Sequence, residues 1–282
     1  MRKIAHIINP VSVDESSDLF TAQPVTFKTM EVARDFARNQ VDVGIFSAQY
    51  PEDRAMVPEY FQLTPDMERS VLDIATFKKK RKLPLVKDIL DRLYEVTDAD
   101  FLIYTNVDIA LMPYFYVSVI QIIESGYDAF VINRRTIPKR YERTEQIPNM
   151  YSLVGQSHRG YDCFVFPRRL YPFFKLGEGC IGANHIGKIL ITNLVCLSKN
   201  FKLFKNLHLT FHIGNDKAWN NSLFNDYFEH NKKVLGEVLS LFAQEKRLAG
   251  RPLVNKYFEM FATGEQRHTA WLDRIFRGIK KS

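Results

Sequence analysis

The chain has few cysteines and no long apolar run. It contains three cysteines in 282 residues, an odd number without the paired spacing of a zinc site or a disulfide framework. This favours a reducing, cytoplasmic location. The most apolar run, Ile186–Leu197, is interrupted by a lysine and an asparagine and falls short of the roughly 18 residues that span a bilayer. The apolar segment at 4–8 is also too short for a signal peptide.

Little of the net positive charge lies outside the last part of the chain. The formal net charge is +7, but residues 246–282 hold nine Lys/Arg against three Asp/Glu, so the remainder is close to neutral. A nearly neutral body argues against a nucleic-acid-binding face, and no zinc-finger, RRM or helix-turn-helix pattern occurs. The apolar content of 46% and the charged content of 25% are those of an ordinary globular protein.

Strand-like and helix-like segments alternate along the first half of the chain. Strands are predicted at 3–9, 41–47, 101–105 and 128–132, and helices at 27–38, 84–94 and 114–124. This order predicts an α/β fold with a doubly wound, mainly parallel sheet. Residues 133–160 break the pattern and are predicted to be a long loop. Further elements are predicted as a strand at 162–167, a helix at 184–197, strands at 201–204 and 207–213, and a helix at 222–247.

An apolar strand ends in two polar residues, Asn106 and Asp108. They are two apart on extended chain, so both can point to the same side, and the carboxyl end of such a strand is where open α/β sheets bind ligands. Their oxygens can hold a hard divalent cation that bridges a substrate diphosphate. A strand end with an ordinary Asx turn is the structural alternative.

The segment 207–213 alternates strictly between apolar and polar residues. His208, Thr210 and His212 share one face, which is typical of a strand with one polar face. Either the two histidines are half-exposed surface residues, or the polar face lines a cleft in which His212 is the last ligand of a metal or diphosphate.

Two more carboxylates lie next to predicted secondary-structure elements and are candidate site residues. Asp162 begins the apolar strand predicted at 162–167, where it could accept hydrogen bonds from a ligand or merely cap a turn. Glu178 lies in a glycine-rich turn before the helix that contains Lys188, where it is either a site residue or a solvated loop carboxylate.

Two clusters of basic residues are candidates for binding phosphate. The run Lys78–Lys82 precedes a predicted helix, whose amino terminus favours anions, so Arg81 and Lys82 are candidates near a nucleotide. Arg134 and Arg135 follow a strand end, and the planar fork of arginine suits the oxygens of a diphosphate or an acceptor.

The order of these elements between about residues 3 and 219 resembles the bacterial-type GT-A glycosyltransferases. This sequence has an Asn-x-Asp variant of their Asp-x-Asp motif. The resemblance implies a nucleotide-diphospho-sugar transferase fold and a Mn²⁺ or Mg²⁺ cofactor. Asp108 and His212 would be metal ligands, and Asn106 would orient a metal water or a ribose. Asp162 would touch the donor sugar or the acceptor. Glu178 would be the base, with Asp162 and Asp216 as competing candidates.

The sequence therefore predicts a catalytic domain at 1–219 and a C-terminal helical region at 220–282. We expect transfer of a sugar from a nucleoside diphosphate sugar to an acceptor hydroxyl of a glycan or a lipid-linked molecule. One alternative is a sugar-nucleotide pyrophosphorylase, although the first strand lacks the phosphate loop of such enzymes. Another is a non-catalytic carbohydrate- or lipid-binding module, which the replacement of an aspartate by Asn106 favours.

Residues 268–281 have an apolar aromatic face and a basic face at helical spacing. This pattern is typical of a helix that lies on an anionic membrane surface. It is equally typical of a helix that packs its apolar side on the domain. In the first case the protein would be peripheral on the cytoplasmic face of a membrane.

Overall fold

The computed structural model describes residues 1–214 and 224–262. The strands are β1 (Lys3–Ile8), β2 (Asp42–Ser47), β3 (Gln62–Leu63), β4 (Phe101–Thr105), β5 (Ala110–Leu111), β6 (Ala129–Ile132), β7 (Arg135–Ile137), β8 (Gln156–Ser157), β9 (Cys163–Pro167), β10 (Phe201–Phe204) and β11 (Thr210–Ile213). The helices are α1 (Asp18–Ala37), α2 (Val86–Val96), α3 (Phe115–Glu124), α4 (Ile147–Tyr151), α5 (Ile186–Leu197), α6 (Asn225–Ala243) and α7 (Pro252–Ala262). Asp216, the predicted domain boundary at 219/220 and the tail at 268–281 lie outside the described residues.

The central sheet has seven strands in the order β10-β6-β9-β4-β1-β2-β3. All neighbouring pairs are parallel except those of β9, which runs antiparallel between β4 and β6. The predicted α/β class with a mainly parallel sheet is therefore confirmed. The sheet is buried on both faces, as parallel sheets require.

Helices cover both faces of the sheet, and side chains alternate between them. On β1, Ala5 and Ile7 contact the core formed with α2, α5, α6 and α7, whereas Ile4 and Ile8 contact the core formed with α1 and α3. Helices α6 and α7 thus share the first of these cores, and Tyr257 of α7 is fully buried. The C-terminal helices are therefore part of the α/β body as far as residue 262.

A second sheet of four short strands, β5-β11-β7-β8, explains where two sequence expectations were wrong. The segment 133–160 is not a structureless loop, because it contains β7, α4 and β8. The strand predicted at 207–213 begins only at Thr210, since pairing with β5 starts there and pairing with β7 starts at Phe211.

The bounds of several helices also differ from the sequence prediction. Helix α1 begins at Asp18 rather than 27, with Ser17 accepting from the backbone N–H of Leu19 as N-cap. Its first turns carry Pro24 and buried polar residues, which obscured the apolar periodicity. Pro84 does not open α2, because Leu85 is its N-cap. The helix predicted at 222–247 runs from Asn225 to Ala243.

Within the described ranges, no helix has both the length and the apolar character needed to cross a membrane.

Candidate functional site

Three polar residues occupy neighbouring positions where strands of the main sheet end. Strand β9 pairs Cys163 with the last residue of β4 and with the last residue of β6. One step beyond this register, Asp162 lies between Asn106 and Asn133, which directly follow those strands. The antiparallel β9 therefore delivers a carboxylate to the edge at which the parallel strands β4 and β6 end.

The small sheet brings His212 to the same edge. Strand β5 begins two residues after Asp108, and β7 begins directly after Arg134. Strand β11 is paired with both of them, with His212 opposite Thr136. Because β5 and β7 continue the chain that leaves β4 and β6, β11 is anchored across their carboxyl ends.

Asp108 and His212 are in direct contact. The Nε2 atom of His212 lies 3.1 Å from Oδ2 of Asp108, and its Nδ1 lies 2.8 Å from the carbonyl oxygen of Gly214. A carbonyl only accepts, so Nδ1 carries a hydrogen. Nε2 therefore faces the carboxylate either with a second proton or with a lone pair that a shared cation can take. The His212 side chain is 3% exposed and that of Asp108 is 21% exposed.

The surroundings of Asp108 favour its ionised form. Burial raises the pKa of this carboxyl, but the hydrogen bond and charge of His212, together with the charge of Arg134, outweigh burial and leave the pKa below its ordinary value. The other carboxylate oxygen, Oδ1, is buried and has no hydrogen-bond partner among the described residues. An ionised oxygen in this situation can serve as a metal ligand.

The spacing of the pair fits a small divalent cation. Adjacent ligands of an octahedral ion at about 2.1 Å are about 3.0 Å apart, and the observed separation is 3.1 Å. Asn106 Oδ1 accepts from the Tyr104 hydroxyl at 3.0 Å and keeps a second lone pair. In the part of the chain that the structure describes, no three His, Cys, Asp or Glu residues form a metal cluster. Waters and substrate oxygens would therefore complete the shell, as is usual for Mg²⁺.

Asp162 is the counter-ion of Arg134. Its two oxygens accept from the Arg134 backbone N–H at 3.1 Å and from Nη1 at 3.2 Å. Both side chains are nearly buried, at 5% and 11% exposed. A buried pair with two hydrogen bonds has a defined geometry, so Asp162 holds the guanidinium at the edge of the sheet.

Two residues of this site were not predicted from the sequence, Asn133 and His158. The amide nitrogen of Asn133 donates to the carbonyl of His158 at 3.1 Å. The imidazole of His158 lies close enough to Asp162, Arg134 and Asp108 for their charges to affect it, while burial lowers its pKa. His158 gave no recognisable pattern, but Asn133 could have been found, since it ends its strand in the same way that Asn106 does.

Glu178 lies in a turn beside the first residues of α2. The backbone N–H of Val86 donates to the carbonyl of Gly179 at 2.9 Å. Glu178 Oε1 accepts from Nη1 of Arg69 at 3.3 Å, and Arg69 also holds Asp88 through two bonds of 2.8 and 2.9 Å. In a βαβ unit the helix begins on the side where the preceding strand ends. Glu178 is therefore on the carboxyl side of the sheet, and its side chain is 40% exposed.

Arg135 is engaged in holding the loop that precedes β8. Its Nε donates to the carbonyl of Val154 at 2.8 Å and its Nη2 to that of Gly155 at 2.7 Å. Its contact with a diphosphate or an acceptor stays a prediction.

Arg81 and Lys82 are turned toward different parts of the protein. The Arg81 guanidinium lies 4.0 Å from the centre of the Phe224 ring, just before α6. Lys82 pairs with Glu52 and lies 3.8 Å above the ring of Tyr50, beyond the end of β2. Lys82 is thus on the carboxyl side of the sheet, whereas Arg81 packs on α6. Their predicted contacts with a nucleotide remain untested.

Comparison with known proteins found no matching protein-family model and no matching curated sequence. Solved structures with a similar fold include residues 1–349 of TarS from S. aureus in complex with UDP-GlcNAc. It is 8% identical, with a TM-score of 0.46, and the match covers 84% of this chain and 71% of that one. A second structure of S. aureus TarS is 8% identical, with a TM-score of 0.48. The match covers 87% of this chain and 44% of that longer one. Glucosyl-3-phosphoglycerate synthase from Mycobacterium tuberculosis, in complex with Mn²⁺, UDP and phosphoglyceric acid, is 13% identical. Its TM-score is 0.46, with coverage of 86% of this chain and 78% of that one.

Proposed function

We propose that this protein is a glycosyltransferase that moves a sugar from a nucleoside diphosphate sugar to an acceptor hydroxyl, assisted by Mn²⁺ or Mg²⁺. The observation that carries the proposal is the Asp108–His212 pair. Its atoms are 3.1 Å apart at the end of β4, with the Nδ1 hydrogen of His212 directed to Gly214 and Asp108 Oδ1 unpartnered among the described residues. Open α/β sheets bind their ligands at this edge.

Asp108 and His212 would hold the metal, with Asn106 contributing directly or through a water. When bound, such an ion neutralises charge that develops on a departing diphosphate. Arg134, held in place by Asp162, adds a fixed positive charge at the same edge. The side chains of Asp162, Arg134 and His212 are nearly buried. Because water is largely excluded from them, their charges interact more strongly with a bound metal or diphosphate.

We propose Glu178 as the general base. It would take the proton from the acceptor hydroxyl as that oxygen bonds to the anomeric carbon and the nucleoside diphosphate leaves. Of the candidate bases that the structure describes, Glu178 is the more accessible, at 40% exposed against 5% for Asp162. Asp162 is already occupied by two donors of Arg134, which favours a positioning role for it.

The test is calorimetric titration with Mn²⁺ in the presence of UDP or GDP, followed by measurement of nucleotide-sugar hydrolysis. We expect Asp108→Ala to weaken Mn²⁺ binding at least tenfold, which corresponds to about 1.4 kcal/mol. Asp128→Ala is the matched control. Asp128 lies at the opposite end of β6, its side chain is 18% exposed, and it accepts from two backbone N–H groups.

The outcomes separate the alternatives. Equal Mn²⁺ affinities of the wild type and Asp108→Ala would refute the proposed metal site. Metal and nucleotide binding without hydrolysis or transfer would favour a non-catalytic module. Nucleotide exchange that depends on added pyrophosphate would instead identify a sugar-nucleotide pyrophosphorylase.

A lipid-linked acceptor and a peripheral position on a membrane belong to the same proposal. They are supported by the basic and apolar faces of residues 268–281 in the sequence. The cytoplasmic location likewise stays a prediction.

A further inference from the structure

The Asn133 side chain is buried and has one free end. Asn133 is 0% exposed, and its backbone N–H donates to the carbonyl of Phe204 at 2.9 Å. Its Nδ2 atom donates to the His158 carbonyl at 3.1 Å, which sets the orientation of the amide. The opposite atom, Oδ1, has no hydrogen-bond partner among the described residues. A buried amide oxygen without a partner is costly, so its lone pairs call for a donor.

The next residue presents the complementary group. Arg134 uses Nη1 and its backbone N–H for Asp162, while its Nε–H is buried and unpartnered in the described part of the chain. Guanidinium nitrogens only donate. Consecutive residues at the end of β6 thus offer one acceptor and one donor, next to the carboxylate of Asp162.

We infer that Asn133 Oδ1 and Arg134 Nε bind two neighbouring hydroxyl groups of the transferred sugar. A hydroxyl both donates and accepts, so one hydroxyl can donate to Asn133 Oδ1 while its neighbour accepts from Arg134 Nε. A phosphate group fits less well, because its oxygens accept and would face another acceptor at Asn133. This inference rests on the proposed function and assigns the sugar-reading part of the same site.

The experiment measures the sugar contribution to binding. Calorimetry with Mn²⁺ compares UDP with UDP-glucose and GDP with GDP-mannose, and the ratio of the two dissociation constants within a pair is the sugar contribution. In Asn133→Ala we expect the nucleoside diphosphate affinity to stay within about twofold. The sugar contribution should fall about three- to tenfold, the effect of losing one neutral hydrogen bond.

Two further variants separate a contact with the sugar from support of the fold. Asn133→Asp keeps the acceptor oxygen and loses the amide donor to His158, so the sugar contribution should persist. Asn193→Ala is the matched control: Asn193 is also 0% exposed, but both ends of its amide are bonded, to Lys175 and Ile189. It should lower the melting temperature and leave the sugar contribution unchanged.

Each outcome decides between the two proposals. If the wild type binds none of the four nucleotides, the proposed function fails and this inference with it. If the wild type binds a nucleotide sugar more tightly than its nucleoside diphosphate and Asn133→Ala keeps that advantage, the inference alone is overturned. It is also overturned if the wild type shows no sugar contribution, or if Asn133→Ala and Asn193→Ala reduce that contribution equally.

Discussion

The buried His6 should make the free energy of unfolding decrease as the pH falls below 6.5. It lies on β1, is 0% exposed, and its ring contacts the Tyr116 hydroxyl through Nδ1 and the Thr105 hydroxyl through Nε2, both at 2.9 Å. Burial lowers the pKa of His6 from 6.5 to about 3. The unfolded chain therefore binds a proton at pH values where the folded chain does not. Stability that is present above pH 6.5 is lost as the pH falls toward about 3.

The size of the effect follows from the two pKa values. One unit of pKa difference corresponds to about 1.4 kcal/mol, so lowering the pH from 7.5 to 5 should remove about 2 kcal/mol through His6 alone. In His6→Gln the side chain cannot titrate, and the free energy of unfolding should lose about 2 kcal/mol less over the same interval. Tyr116→Phe is the control, because it removes one hydrogen bond of His6 and leaves the imidazole buried.

The assay is urea unfolding followed by circular dichroism at pH 7.5, 6, 5 and 4.5. We expect the wild type and Tyr116→Phe to share the same slope of unfolding free energy against pH, and His6→Gln to show a smaller one. Identical slopes for the wild type and His6→Gln would refute the reasoning, since they would mean that His6 takes up its proton in the folded protein as readily as in the unfolded chain.

Three further predictions concern the turn at Gly155, the tail and Glu178. Gly155→Ala should destabilise the protein by more than about 1 kcal/mol, because Gly155 has a φ of +65° and a Cβ would lie 2.7 Å from the carbonyl oxygen of Thr136. In Gly236→Ala, on α6, an added Cβ meets no other atom within 4 Å, so this substitution should stabilise the protein by up to about 1 kcal/mol. Urea unfolding that shows the same change in stability for both substitutions would contradict this pair of predictions. A truncation after Ala262 should lose binding to anionic liposomes that the full chain shows at low salt, and equal recovery in the supernatant would end the membrane proposal. Glu178→Gln should lower the rate of sugar transfer at least about 100-fold with little change in Mn²⁺ binding, and an unchanged rate would exclude it as the base.

The contacts of α7 decide where the chain can be truncated without damage to the core. Gly250 follows the helix predicted at 222–247 and has a φ of +79°. A cut there would delete α7, whose Tyr257 is fully buried and contacts the Thr192 hydroxyl at 2.9 Å. Loss of Tyr257 would expose part of the core and destabilise the protein. A loss of membrane binding could then not be distinguished from unfolding. A cut after Ala262 keeps that core intact.

The sequence by itself determined the α/β class and the strand ends at which chemistry is expected. Apolar periodicity predicted β1, β2, β4 and β6 with the helices between them. The strands bury both faces and the helices bury one apolar stripe, so each element can be recognised within a short window of sequence. The sequence also singled out Asn106 and Asp108, which follow an apolar strand, and His212, which lies on the polar face of an alternating one.

Only the tertiary structure decided which of these residues meet. The antiparallel insertion of β9 and the small sheet around β11 depend on pairings between segments far apart in the chain, which no local pattern encodes. Those pairings place Asp162 between Asn106 and Asn133 and carry His212 to Asp108 across 104 positions of sequence. They also show that Asn133, which the sequence left inside a loop, lies buried beside Asp162 because β6 and β9 share one hydrogen-bonded edge.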